Sequence, residues 1–499
     1  MATLAIAGPR IDGPRVSAAG ASGELAVACA DLSSLALAGG TVVSAQLVPA
    51  GSLPGGSRGT ARVLPAHCRL VATLRPAAQS SIHLEAWLPA EGWNGKMVVV
   101  GNGAYGGSVP LPALVAGLRA GYAAVASDTG HTGSGAAFAL TSQDQLRDFI
   151  DRAVHESAVH GKAVIAKAYG QPHARAYFNG CSTGGRQGLT AAQRYPDDFD
   201  GIVAGSPGNY TTRQAFGQVW VAQAMKADPA STVPAEKLPV IHAAVMAACD
   251  GADGVADGVL ENPTTCSFDP VVLQCTAGDG ATCLTAPQVA AVRQTYAGAR
   301  HSRTGELLFP GFERGSELGW TRWVGDQAPD YATEFFRHVA FKDPAWHFTS
   351  LDFDRDVTRV DQLGVPIDAI EADLGPFFAR RGKLLMYAGW NDPGIAPRNA
   401  VSYYTRVVEK VGAARAGEAI RLFMVPGMAH CGGGEGTSSF DMLQALDDWV
   451  QRGEAPARVL AAREQNGRVV RTRPLCPYPQ VATYLGAGDA DDASSFVCR

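Results

Sequence analysis

Short, nearly unbroken apolar runs recur along this chain and set its architecture. Met97 to Val100, Ala174 to Phe178, Lys383 to Gly389 and Ile420 to Pro426 each have the length and composition of a buried strand. Residues 185–192 follow one of these runs and read as a helix. Strand and helix signals alternate across 95–205 and again across 380–452, the pattern of a sheet covered by helices. The middle of the chain does not continue it. Residues 206–364 therefore read as an insertion into a single α/β domain made of 1–205 and 365–499. Residues 1–94 are apolar and β-leaning, without chemical signals of their own.

Chemistry enters at the turn between the run at 174–178 and the helix at 185–192, where Gly180-Cys181-Ser182-Thr183-Gly184 matches G-x-S-x-G. A sharp strand-to-helix turn pushes such a serine out at the carboxyl end of a sheet, and the flanking glycines leave room for the strained backbone. Ser182 is thus the candidate nucleophile. Hydrolases with this elbow place an acid and then a histidine later in the chain. Asp392 lies in a loop after the strand 383–389, and His430 in a glycine-rich loop after the strand 420–426. His430 would act as general base and Asp392 would orient it. The oxyanion hole needs the N–H of Thr183 and a second from the loop Gly101 to Gly107; Gly103 is favoured, with Ala104 close behind. The fold class expected is an α/β-hydrolase with a large inserted lid, 206–364. Ser-Asp-Thr-Gly-His at 127–131 follows a strand and is read as scaffold.

Ten cysteines point to an oxidising compartment. If Ser182 and His430 are hydrogen-bonded, their neighbours Cys181 and Cys431 come within bridging distance, so these two are paired. The lid carries an acidic loop with Asp250, Asp253 and Asp257 among glycines. Such hard oxygen ligands suit calcium. The EF-hand pattern is not met, since Ala252, Gly254 and Val255 fall where ligands and an obligatory glycine belong. A metal would borrow the carbonyls of Val255 and Val259, and a solvated acidic turn is the other reading of the spacing.

Taken together, the Cys181-Ser182 pair, the Asp392 loop, the His430-Cys431 pair, the acidic loop and Gly-Ser-Glu-Leu-Gly-Trp at 315–320 resemble the tannase and feruloyl esterase family, which includes the bacterial hydrolase of mono(2-hydroxyethyl) terephthalate. The resemblance runs from about Cys29 to Cys498. It implies the triad Ser182, Asp392 and His430, the Cys181–Cys431 bridge, and structural Ca2+ held by Asp250, Asp253, Asp257 and the carbonyls of Val255 and Val259. It further implies the bridges Cys29–Cys68, Cys249–Cys266, Cys275–Cys283 and Cys476–Cys498. The activity implied is hydrolysis of esters of aromatic acids: feruloyl, galloyl or terephthalate monoesters. Thr183 stands where the terephthalate enzyme has a glutamate, and Ile395 where it has a phenylalanine. A free terephthalate carboxylate would want a lid cation, for which Arg322 or Arg337 could serve.

The lid is rich in aromatics (Phe309, Phe312, Trp320, Trp323, Tyr331, Phe335, Phe336), of which two or three are expected to touch substrate. Trp320, Trp323 and Ile395 are the candidate contacts. A net charge of −5 gives no polybasic footprint for nucleic acid or membrane. No apolar run reaches the length of a membrane span. The N-terminus lacks the basic and apolar pattern of a signal peptide, so the expectation is a mature secreted or periplasmic chain, monomer or homodimer, acting on a small aromatic ester. Two function classes follow: a serine esterase, or a catalytically dead hydrolase fold used for binding. A burst of acyl-enzyme on an activated aryl ester separates them. A peptidase is a third class, disfavoured by the resemblance alone.

Overall fold

A computed structural model of the protein describes residues 23–51, 64–226, 228–324 and 330–499. The reading of the N-terminus as free of a leader falls outside these residues. The described chain forms two compact units. One runs up to Ala204 and adds Leu374–Leu384; the other holds Gly205–Asp373 and Leu385–Arg499.

The first unit is built on strands β1 (Gly40–Val48), β2 (His67–Leu74), β3 (Ile82–Pro89), β4 (Lys96–Val100), β5 (Ala123–Ser127), β6 (Arg175–Cys181) and β7 (Gly201–Gly205), in the spatial order β1-β2-β3-β5-β4-β6-β7. Strands β1, β2, β3 and β5 pair antiparallel, whereas β4 lies parallel to both β5 and β6. The parallel centre is where the apolar runs sit. There β5 and β7 are buried along their whole length, while the edge strand β1 alternates towards solvent. Helices α1 (Leu111–Arg119), α2 (Phe138–Thr141), α3 (Gln143–Arg147), α4 (Ala153–Tyr169) and α5 (Thr183–Arg194) connect the strands. Ser142 caps α3 through its side chain, and Gly170 ends α4 in the left-handed conformation.

The second unit carries α6 (Thr211–Lys226), α7 (Leu238–Cys249) and α8 (Ala286–Ala297), the last opened by a capping box of Thr285 and Gln288. A short ribbon joins β8 (Ala299–Arg300) to β9 (Leu307–Phe309). Strands β10 (Lys383–Gly389, its first two residues belonging to the first unit) and β11 (Ile420–Val425) lie side by side, and β12 (Val459–Gln465) and β13 (Arg468–Leu475) form a hairpin.

Each apolar run is a strand, with adjusted ends. The run at 174–178 extends to Cys181 and the following helix begins at Thr183, two residues earlier than its pattern suggested, because strand and helix meet at the elbow with no loop between. Pro426, which has no N–H to donate, lies beyond β11. The bridges Cys29–Cys68, Cys249–Cys266, Cys275–Cys283 and Cys476–Cys498 are formed as the resemblance implied, with Cα separations of 5.0–5.6 Å. No helix among the described residues is long and apolar enough to cross a membrane. The mixed sheet with its helices fits the α/β-hydrolase architecture expected.

Candidate active site

In the first unit, the turn from β6 into α5 holds Ser182 at φ 65°, ψ −123°. A non-glycine residue there costs roughly 1–3 kcal/mol, which only a tightly determined surrounding sustains. The two glycines explain how the turn closes. A Cβ at Gly180 would lie 2.7 Å from the Gly184 backbone, and one at Gly184 would lie 3.2 Å from the Gly101 Cα and the Asn102 carbonyl oxygen. The elbow is therefore pressed against the loop that follows β4.

That loop is tied down from two sides. Gln187 of α5 accepts from the Asn102 N–H at 3.0 Å and donates to the Asn102 side chain at 3.4 Å, while the Asn102 amide donates to the carbonyls of Ser108 (3.1 Å) and Ser127 (2.9 Å). Thr183 is buried, whereas Gly103 and Ala104 are exposed and their N–H groups have no acceptor among the described residues. Ala104 takes a positive φ of 47°.

In the second unit, Asp392 and His430 meet. The His430 Nδ1–H donates to Asp392 Oδ2 at 2.6 Å, and Asp392 Oδ1 accepts from the N–H groups of Gly394 (2.8 Å) and Ile395 (2.9 Å). Both carboxylate oxygens are thus engaged on a buried side chain, which fixes the imidazole tautomer with the hydrogen on Nδ1 and the lone pair on Nε2. Cys431, next to the histidine, is held at φ 61°.

The 391–395 turn is braced by residues of the 206–364 stretch in the same unit. Gln218 of α6 donates to the Gly394 carbonyl at 3.0 Å, Trp323 Nε1 to that of Pro393 at 2.7 Å, and Asn391 to that of Gly315 at 2.7 Å. The 315–320 motif has a structural use: buried Glu317 collects the Gly315 N–H, the Tyr296 hydroxyl (2.7 Å) and His242 Nδ1 (3.0 Å). Trp320 and Trp323 present almost no open surface here, and the Trp320 indole donates to Ser316 Oγ. Ile395 is likewise buried. Arg337 spends its Nε–H on the Trp346 carbonyl, whereas exposed Arg322 lies against the Trp323 ring with its guanidinium beside Gly394.

The acidic loop draws its carboxylates inward. Asp253 accepts from the N–H groups of Val255 and Glu261, Asp257 from that of Val259 and from the guanidinium of Arg473, and Asp250 Oδ2 from that of Gly258. Asp250 Oδ1 is buried without a partner. Burial pushes the Asp253 pKa up, the charges of Asp257 and Asp250 adding to it against its two N–H partners. Among the described residues, no three acidic, imidazole or thiol side chains form a ready-made metal cluster. A cation reaching this loop would find one orphaned carboxylate oxygen and an excess of negative charge.

Comparison with known proteins decides the family. The model described as Tannase and feruloyl esterase matches residues 68–499. The chain belongs to the tannase and feruloyl esterase family. An uncharacterized esterase of Xanthomonas campestris pv. campestris is 39% identical, covering 94% of this chain and 91% of that protein. A probable feruloyl esterase B-1 of Aspergillus terreus is 32% identical over 86% of each. The crystal structure of feruloyl esterase B from Aspergillus oryzae superposes with a TM-score of 0.87 at 29% identity, covering 93% of this chain and 98% of that one. This member of the family is a carboxylic ester hydrolase with the α/β-hydrolase fold. The sequence pattern did not show how the site's loops are held: by Asn102 and Gln187 around the elbow, and by Gln218 and Glu317 in the second unit.

Proposed function

We propose that this esterase is a secreted serine hydrolase that cleaves feruloyl or cinnamoyl-type esters of aromatic acids through an acyl-enzyme on Ser182. The observation that carries the reading is the Asp392–His430 hydrogen bond, with the second carboxylate oxygen clamped by two N–H groups. With Nδ1–H committed to Asp392, His430 Nε2 is the base that takes the Ser182 proton as Oγ bonds to the ester carbon. The tetrahedral oxyanion is met by the N–H of Thr183 and that of Gly103 or Ala104. As the carbon–oxygen bond to the alcohol breaks, His430 returns the proton to the leaving oxygen, and water repeats the sequence to free the acid. The aromatic acid is supported by the names of the feruloyl esterase relatives. Secretion is supported by the disulfides, which persist in oxidising compartments.

Ser182→Ala should leave a folded protein whose ester hydrolysis is lower by on the order of 10⁴ or more, with no burst of acyl-enzyme on an activated aryl ester. Activity within tenfold of wild type would overturn the assignment. The position of Arg322 favours, as a second reading, a monoester of an aromatic diacid whose free carboxylate it would pair. Ranking methyl ferulate, methyl gallate and mono(2-hydroxyethyl) terephthalate by kcat/KM separates the readings.

For the acidic loop we propose structural calcium, on Asp250, Asp253, Asp257 and the carbonyls of Val255 and Val259; its charge would neutralise the carboxylates and brace the lid. A ligand at a hundred times its Kd stabilises by about 2.7 kcal/mol. Chelation should therefore lower Tm by a few degrees, and readdition of calcium should restore it. An unchanged Tm together with no bound calcium in equilibrium dialysis would refute the proposal.

A further inference from the structure

The turn that follows β5 carries more constraint than a connection needs. Thr129 is fully buried at φ 63°, a region that a β-branched residue enters only when its surroundings force it. Its hydroxyl lies 3.1 Å from His131 Nδ1, and His131 Nε2 lies 2.9 Å from the Tyr105 carbonyl oxygen. A carbonyl only accepts, so Nε2 bears the hydrogen and Nδ1 accepts from the Thr129 hydroxyl. The ring is wedged between partners, stacked on Phe138 with centroids 3.9 Å apart and edge-on to Phe149. Burial holds its pKa below the usual value, so the ring stays neutral near pH 7.

Tyr105 belongs to the loop whose Gly103 and Ala104 N–H groups have no acceptor among the described residues. The rest of that loop is pinned beside the same turn. Gly107 N–H donates to the Gly133 carbonyl at 2.7 Å, and a Cβ on Gly107 would come 2.6 Å from the His131 ring. Gly106 N–H closes a tight turn onto the Gly103 carbonyl at 2.8 Å. The His131 N–H acts on the Tyr105 carbonyl within this set of contacts, and so on the orientation of the peptides beside it.

We propose that Thr129 and His131 are positioning residues of the oxyanion loop: the hydroxyl, placed between His131 Nδ1 and the Gly106 carbonyl, steadies the ring, and the ring N–H holds the Tyr105 carbonyl so that the Gly103 and Ala104 N–H groups stay turned out for a substrate oxyanion. The proposal rests on the reading of Ser182 as nucleophile. A residue acting only on the transition state changes kcat and leaves KM alone.

The test compares His131→Ala, His131→Gln and Thr129→Val by steady-state kinetics on p-nitrophenyl acetate, by affinity for phenylboronic acid, whose adduct with a serine is a tetrahedral anion, and by Tm. Misplacing an N–H donor by about 1 Å costs roughly a hundredfold in rate. His131→Ala is expected to lower kcat by about tenfold to a hundredfold with KM within about twofold, and to weaken the boronic acid by the same factor. His131→Gln, which keeps an N–H near the Nε2 position, should recover most of both. Thr129→Val, which removes only the hydroxyl, should fall between and carries the test if His131→Ala does not fold. The proposal is overturned if kcat and boronic-acid affinity stay within threefold of wild type while Tm falls, or if Gln performs no better than Ala. Ser182→Ala separates the two failures. If it remains active, the nucleophile reading falls; if it is dead while the turn variants are fully active, only the positioning proposal does.

Discussion

Asp128 carries one of the larger pKa displacements in the first unit, pushed up to about 6 by burial although the N–H groups of Gly130 and His83 donate to it at 2.8 and 2.9 Å. Its unfolded value is 3.8. The folded state therefore holds a proton that the unfolded chain has released between those values, so this contribution is complete below about pH 4 and is lost as pH rises through about 6. The two values correspond to about 3 kcal/mol. Glu85 on the neighbouring strand behaves oppositely. Burial would raise it, but bonds from Arg69, His83 and Trp87 outweigh burial and hold it at about 2, so its contribution is present above its ordinary 4.5 and fades only in strong acid. Asp128 therefore shares the window from pH 4 to 6 with the other carboxyls that burial raises, Asp148, Asp253, Glu261 and Glu313, and its own share is read by removing it alone. Asp128→Asn keeps an acceptor for both N–H groups and removes the titration; stability measured by denaturant unfolding should fall less steeply across that window than in wild type. A slope identical to wild type would assign the effect to another group.

At the scale of elements, the apolar runs were legible because a strand buried on both faces must be apolar throughout, and the elbow because strand, serine and helix are consecutive. What holds the loops was not legible. Gln187 reaches back 85 positions to Asn102 and Gln218 forward 176 to Gly394, and a glutamine on a helix carries no local sign of a distant backbone partner. The same holds for Trp323 and Trp320, whose type suggested substrate contact and whose indole N–H groups are spent on Pro393 and Ser316. This division predicts a contrast. Trp323→Phe keeps an aromatic ring but leaves the buried Pro393 carbonyl without its indole donor beside Asp392, whereas Trp320→Phe takes one donor from Ser316 Oγ, which still donates to the Glu313 carbonyl. The first should cost about 1–3 kcal/mol and the second about 0.5–1.5 kcal/mol. Only the first should also lower kcat in the folded enzyme, by roughly tenfold, because it loosens the turn that carries the acid. Equal kcat values in the two variants would mean that the Pro393 contact is structural alone.

For the whole molecule, the proposed mechanism asks what would keep Ser182 and His430 in register, since they come from distant parts of the chain. Eight cysteines pair locally, over separations of 8 to 39 positions, and none of the described cysteines is a free thiol. Cys181 and Cys431 are both disulfide-bonded, and the pairing we propose joins them to each other. Each sits beside a proposed triad member, Ser182 or His430, and both of the pairs 181–182 and 430–431 contain a residue at positive φ. The loop so closed would span 250 positions, for which chain-entropy models give more than about 4.7 kcal/mol, though measured values usually fall short. Four other bridges already restrict the unfolded chain, so the distinctive effect of this one is local: it would fix the separation of serine and histidine, where about 1 Å is worth roughly a hundredfold in rate. Replacing both cysteines with alanine should therefore lower kcat by ten- to a hundredfold in a protein that still folds with its other four bridges intact by mass mapping. Full activity in the double variant, or a map that pairs either cysteine elsewhere, would remove the staple and leave the alignment of the triad to packing.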